Sequence, residues 1–312
     1  MKTRAVKFDV EKVLDDKIIG TGYNTTVNSY LPNDEQDAWV AKCIEVDNID
    51  KLLQIMEEIV LSFSCDHENF NSIKGYCVIP TDKTNFKVYL KLQLMRENIS
   101  SLCNKKQGVP EQEIVKILHS LISGLEYLHR KGIAHQNLKP TNIFVSNNGD
   151  TKLADISSEG YADRRDRLNA QGDTSEIIYL PPEVLDDSLD QKELDLYKAD
   201  IWSLGRCLLD LLLCSYEGDV LKEQEGQNEA IKKGFFLDVQ KVYSSDLSSL
   251  LQDMLSSEPN QRRSAHEIKH IIETKLFAKN EPKSFENEKK YKSQSNDLNV
   301  NETEKKPWNL GE

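Results

Sequence analysis

The chain has 312 residues, 38% of them apolar and 29% charged, the balance of a water-soluble globular protein with room for one large domain or two lobes. A net charge of -12 argues against nucleic acid or an anionic membrane as the main partner. The longest apolar stretch, around Ile201–Cys214, is broken by Arg206 and Asp210, so no transmembrane helix is expected, and the N-terminus lacks an apolar signal core. Six scattered cysteines without a C-x-x-C pair point to reduced, mostly buried thiols and a cytoplasmic protein; a zinc site is the alternative.

Taken in chain order, Val13–Gly20 and Thr25–Tyr30 are expected strands, followed by a Pro32-Asn33-Asp34 turn and a further strand over Ala38–Val46. A helix follows, with Asp50 as N-cap and an apolar face of Leu52, Leu53, Ile55, Met56, Ile59, Val60 and Phe63. Ile73–Ile79 and Phe86–Leu92 complete a small sheet. From Glu111 the pattern turns helical: Ile114, Ile117, Leu118, Leu121, Leu125 and Leu128 share one face, and Gly132 ends it. Short strands at Ile143–Ser146 and Lys152–Ala154 flank an Asn147-Asn148-Gly149-Asp150 turn. Helices are predicted at Lys198–Leu213, Ser248–Ser256 and Ser264–Leu276. Residues 277–312, rich in Lys, Glu, Asn and Ser, form an expected disordered tail in which Trp308 and Leu310 are candidate docking residues.

Within this frame, Gly20 and Gly22 lie between two predicted strands, where glycines let backbone N–H groups approach phosphates; alone the signal is weak. Lys42 lies on a strand, and Glu58, 16 residues later, falls on the apolar helix face. A charge there needs a partner, and Lys42 is the expected one, with Glu57 a competing carboxylate.

The most specific segment is Ile133-Ala-His-Gln-Asn-Leu-Lys-Pro-Thr-Asn142, followed by Leu153-Ala-Asp-Ile-Ser157, Tyr179-Leu-Pro-Pro-Glu183, Asp200-Ile-Trp-Ser-Leu-Gly205 and Glu258-Pro-Asn-Gln-Arg262. Together these resemble, in order, the motif blocks of a eukaryotic Ser/Thr protein kinase domain from about Val13 to Leu276. The asparagine-bearing loop, Asp155 followed by an aliphatic residue and two serines, and the Asp200 block are also similar to the serine/threonine kinase-like domain-containing proteins. The resemblance implies a bilobal α+β fold: an antiparallel-sheet N-lobe (13–92) with one helix, a hinge (93–96) and a mainly helical C-lobe (97–276).

It also implies ATP and magnesium as cofactors. Lys42 would contact the α- and β-phosphates, and Asn142 and Asp155 would supply oxygen ligands to the metal. Gly20, Gly22, Val27, Val40, Leu92 as gatekeeper, Gln93 and Met95 in the hinge, and Phe144 would line the nucleotide pocket. Val40 and Phe144 add bulk above and below the base, narrowing the pocket without closing it. His135, Glu183, Asp200 and Arg262 would be structural, with Arg262 paired to Glu183.

Four positions depart from the family pattern. Asn137 stands where the catalytic aspartate is expected, and its amide cannot act as a base near neutral pH, an assistance typically worth ~10²–10⁴ in rate. Gln136 replaces the arginine that receives an activation-loop phosphate, so phosphorylation of Thr174 or Ser175 is not expected to switch the domain in the usual way. Ser157 replaces a glycine and restricts the backbone beside Asp155. Glu176 replaces a substrate-loop threonine and is expected to pair with Lys139 in the acceptor site, the alternative being a solvent-facing carboxylate. The leading expectation is a pseudokinase that binds ATP-Mg and acts through a protein partner at the C-lobe, for instance at Glu217–Lys233, or at the tail. The alternatives are a slow but active Ser/Thr kinase, and a domain whose retained residues only hold the fold.

Overall fold

Period-two alternation of apolar residues sets the first layer. The computed structural model describes residues 18–22, 25–30, 39–103, 109–146, 149–172, 175–186, 188–213 and 243–277. Strands β1 (Ile18–Gly22), β2 (Thr25–Tyr30), β3 (Trp39–Val46), β4 (Gly75–Pro80) and β5 (Phe86–Gln93) form one antiparallel sheet in the order β1-β2-β3-β5-β4. Successive β3 side chains leave opposite faces. Val40 and Val46 join Ile59, Val88, Leu90 and Leu92 in one apolar cluster, while Ala41 and Cys43 join Tyr89 on the other face.

Helix α1 (Ile49–Ser64) covers the first face. Its N-cap is Asn48, not Asp50: the Asn48 side chain accepts from Lys51 N at 2.8 Å, and Asp50 sits in the first turn, favourable to the helix dipole. The apolar stripe is narrower than the sequence suggests. Ile59 is buried, but Leu53 and Val60 are 55% and 65% exposed.

The second lobe begins with β6 (Glu97–Asn98) and α2 (Ile99–Cys103) and is built around α3 (Glu111–Arg130). All six α3 residues expected on the buried face are buried, and Gly132 follows with φ 77°, a left-handed stop suited to glycine. The hairpin β7 (Ile143–Val145) and β8 (Thr151–Leu153) lies at the lobe's upper surface. Then come α4 (Tyr161–Gln171), α5 (Pro182–Leu185), α6 (Leu196–Leu213), α7 (Ser245–Met254) and α8 (Ala265–Ile271), whose last turn loosens into a π-helical turn over Ile272–Leu276. A Cβ at Gly205 would lie 2.9 Å from Met254 Cβ, so this glycine is what lets α6 and α7 touch.

The result is the expected bilobal α+β fold. Phe277, which the sequence puts at the start of the tail, packs instead against the helical core, edge-on to His119 at 5.1 Å. Residues 13–17, the turn at 32–34, Asn147, Asn148, Thr174, Glu217–Lys233, and Trp308 and Leu310 of the tail lie outside the described residues. Among the described residues no helix is long and apolar enough to cross a membrane, no group of three or more His, Cys, Asp or Glu is arranged to hold a metal, and Cys43, Cys65, Cys77 and Cys207 are free thiols.

Candidate functional site

The cleft's upper wall comes from the sheet. In the β1–β2 pairing Gly20 opposes Val27 and Gly22 opposes Thr25. A Cβ at Gly20 would meet only the Val27 side chain, at an ordinary 3.8 Å, so packing does not demand glycine there. Val40 opposes Leu92 across β3 and β5, and Val27 packs against their cluster. Phe144 sits on β7 opposite Asn98 and Lys152, half-buried. Beyond Leu92, Gln93 ends β5 and takes a hydrogen bond from Lys152 Nζ at 3.1 Å, while Met95 lies partly buried in the connection to β6.

Lys42 reaches from β3 across the cleft to Asp155, with Nζ 2.6 Å from Oδ2. Asp155 has φ 57°, a left-handed backbone that Asp tolerates better than most residues. Burial pushes the Asp155 carboxyl up, but the Lys42 charge and hydrogen bond, with Lys139 and His135 beyond, outweigh it and hold it below the usual carboxylate range.

The expected Lys42–Glu58 pair does not form. Glu58 instead accepts from Ser157 Oγ at 3.0 Å and Ser158 N at 3.3 Å, while Glu57 is exposed. The reason is Ser157 itself: the residue that replaces glycine brings a hydroxyl donor to the helix carboxylate and leaves Lys42 to Asp155. Burial still pushes the Glu58 carboxyl up, because two neutral donors only partly offset it. Behind Lys42 and Glu58 lies a cavity of about 100 Å³ reaching Leu92, Asn71 and Asn137.

The lower wall is the loop from Ile133 to Asn142. Gln136 has φ 59°, an uncommon backbone for a residue of its type. It is held there by Asp200, which α6 buries completely beneath the loop. Asp200 Oδ1 accepts from Gln136 N at 2.8 Å and from the Tyr161 hydroxyl at 2.8 Å; Oδ2 accepts from His135 N at 2.7 Å and lies 2.9 Å from His129 Nε2. Burial pushes the Asp200 carboxyl up, but the His129 hydrogen bond and charge, with His135 and the Gln136 N–H beyond, bring it below its usual range. His135 is buried with its pKa pushed down to about 4 by desolvation, so it is neutral at physiological pH.

Asn137 is the centre of this wall. Its amide nitrogen donates to the Asp155 carbonyl at 2.8 Å, and its amide oxygen accepts from Arg164 Nη1. Its own carbonyl accepts from Asn142 Nδ2 at 2.9 Å, and Ala154 N donates to the Asn142 carbonyl at 3.0 Å. Asn137, Asn142 and Asp155 are therefore one hydrogen-bonded unit.

The acceptor side is filled by the segment that follows. Helix α4 buries Tyr161, Arg164 and Leu168, spaced three and four residues apart, and ends at Gly172 with φ 67°. Leu168 joins Leu180, Val184 and Ala199 in a cluster. Lys139 Nζ forms an ion pair with Glu176, as the sequence suggested. Only about 10 Å³ of space remains among Lys139, Arg164, Glu176 and their neighbours. Beneath, Glu183 and Arg262 form the expected buried bidentate pair at 2.6 and 2.7 Å, with the guanidinium over the Trp202 ring.

A family model for the protein kinase domain matches residues 14–272. The chain belongs to the protein kinase family. This kinase domain is 35% identical over 185 residues to a Wee1-like protein kinase of Arabidopsis thaliana, covering 59% of the chain and 34% of that protein. It is 26% identical to the serine/threonine-protein kinase dst2 of Dictyostelium discoideum, covering 86% of the chain and 23% of that protein. It is 28% identical to calcium-dependent protein kinase 5 of Plasmodium berghei (strain Anka), covering 83% and 45%. The chain thus spans less than half the length of these relatives.

Arg164 and the Asp200 partners His129 and Tyr161 were not singled out from sequence. Arg164 lies in Tyr161-Ala-Asp-Arg-Arg-Asp-Arg-Leu168, too polar to stand out as a buried helix; the signal present was Tyr161 and Leu168 seven apart, with Gly172 as a stop. Ser158, the second donor to Glu58, entered the sequence reading only as the second of two serines after Ile156, with no role given to it.

Proposed function

We propose that this kinase domain is a pseudokinase: it binds ATP with magnesium and acts as a regulatory or scaffolding module, with phosphoryl transfer weak or absent. The observation that carries the reading is the occupation of both ends of the Asn137 amide, one by the Asp155 carbonyl and one by Arg164. A group at this position must accept or orient a hydroxyl proton; an amide has no basic site near neutral pH, and here its oxygen is held toward Arg164.

The nucleotide side fits its cofactors. Protein kinase domains use ATP and magnesium in general. Asn142 and Asp155 are oxygen donors tied into one unit through Asn137, and the Asp155 carboxyl is held ionised, a donor set suited to a hard cation. Those two residues would hold magnesium, which when bound neutralises phosphate charge. Lys42 would turn from Asp155 to the phosphates. Gly20, where packing does not require glycine, supports close approach of a ligand to the strand backbone. A domain spanning about residues 13–276, a cytoplasmic location and a protein partner at the helical lobe or tail belong to the same proposal.

The test combines thermal melting with transfer of labelled γ-phosphate. ATP with magnesium is expected to raise the Tm, equivalent to about 2.7 kcal/mol at a ligand concentration 100 times Kd, and Lys42→Ala is expected to abolish the rise. No transfer above the Lys42→Ala background is expected. Absence of any Tm shift would remove nucleotide binding. Transfer lost in Lys42→Ala would establish the slow-kinase reading instead, which the unit of Asn137, Asn142 and Asp155 supports because phosphoryl transfer depends heavily on positioning.

A further inference from the structure

We propose that Arg164 is a built-in lock on the acceptor position, so that the block at Asn137 is a two-residue device and restoring a carboxylate there does not by itself restore a base. The inference rests on the pseudokinase reading and extends it to a residue outside the family motifs.

The lock is held from three directions. Arg164 is 6% exposed and lies between Tyr161 and Leu168 on the inner face of α4. The Tyr161 hydroxyl is fixed by Asp200, the same carboxylate that holds the loop carrying Asn137. Arg165, next in the chain, donates from Nη1 to the Val184 carbonyl at 2.8 Å and ties α4 to α5. The helix and the loop therefore share an anchor, and the guanidinium is delivered to the Asn137 oxygen as a consequence of both.

Arg164 is also short of acceptors. Its Nε is buried with no hydrogen-bond partner and lies 3.6 Å from Glu159 Oε2. Glu159 is shared: it takes two hydrogen bonds from Arg167, at 2.8 and 3.0 Å. Glu176, the other nearby carboxylate, is engaged by Lys139. The buried cation is thus met at Asn137 by a neutral oxygen and elsewhere by part of one carboxylate. A carboxylate placed at 137 would satisfy it with a charge-assisted bond. The same bond would lower that carboxylate's affinity for a proton and aim it at the guanidinium instead of the acceptor hydroxyl, whereas a general base needs both the affinity and the aim.

The decisive experiment is a double-mutant cycle on the full chain. Asn137→Asp is measured in the unchanged background and in Arg164→Gln; Arg164→Met, which keeps more of the aliphatic volume, replaces Arg164→Gln if that variant does not fold. Losing the amide donor to the Asp155 carbonyl costs the same in both backgrounds, so it cancels. The Tm change on Asn137→Asp is expected to be more favourable with Arg164 present by roughly 2–4 °C. The Asn137→Asp single variant is expected to show no labelled γ-phosphate transfer above the Lys42→Ala background. Equal Tm changes in both backgrounds, or transfer by the single variant, would overturn the lock. Transfer by the unchanged chain would overturn the pseudokinase reading itself and is seen separately.

Discussion

The two sides of the cleft are both held by buried or half-buried charge, but they differ in what a ligand could find there. On the nucleotide side, Lys42 and Asp155 pair with each other across the cleft, 21% and 29% exposed at their side chains, so both charges are reachable and both can be exchanged for a ligand's. On the acceptor side, Arg164 takes the Asn137 oxygen, Glu176 takes Lys139, and almost no space remains between them. The same fold therefore presents one surface with exchangeable ions and one whose ions are consumed internally. The contrast between the two sides lies less in the missing aspartate than in which charges remain free to change partners.

Three perturbations would break or sharpen this contrast. The largest effect is expected at Arg262, the foundation of the acceptor side. Arg262→Ala removes the bidentate cation from the buried Glu183 carboxylate, and should lower unfolding free energy by about 3–5 kcal/mol in denaturant titration. A loss near zero would mean that the closed acceptor side does not depend on this pair.

Next is His135, between the two sides. Its pKa falls from 6.5 to about 4 on burial, so between those values the folded chain binds fewer protons than the unfolded one. Stability should then rise with pH across that window, by up to about 3 kcal/mol, and be lost on acidification from pH 6.5 toward 4. Asp155 and Asp200 are held below 3.8 and act only at lower pH. Unfolding of His135→Phe measured from pH 4.5 to 7 should show a flatter slope; an unchanged slope would assign the dependence elsewhere.

The smallest effect tests the coupling on the nucleotide side. Ser157→Ala removes one of two donors to the Glu58 carboxylate and should cost about 1.5 kcal/mol. It should also free Glu58 to compete with Asp155 for Lys42, altering the nucleotide-dependent Tm rise. An unaltered Tm rise would show that Glu58 and Lys42 act independently.

The sequence was most legible where a local pattern had one solution. The apolar face of α3, the strand alternation, and the motif blocks that end in the Glu183–Arg262 pair all emerged where expected. Glu176 was legible too, because its motif spacing placed it within reach of Lys139. Glu58 was misassigned because the sequence offers several partners for a buried carboxylate, and only folding showed that the Ser157 hydroxyl arrives first. Arg164 was missed because α4 draws its stability from tertiary contacts, the Tyr161–Asp200 bond and the Leu168 cluster, and not from an apolar stripe visible in its own residues.

What the sequence by itself determined is the family, the two-lobed architecture and the identity of each missing or retained group, since these follow from residue types at fixed spacings. What only the tertiary structure decided is the pairing of charges: Lys42 with Asp155, Glu58 with Ser157, and Arg164 with Asn137. The physical reason is that the choice of partner for a buried charge depends on distance and desolvation, which are set by segments up to 113 residues apart in the chain.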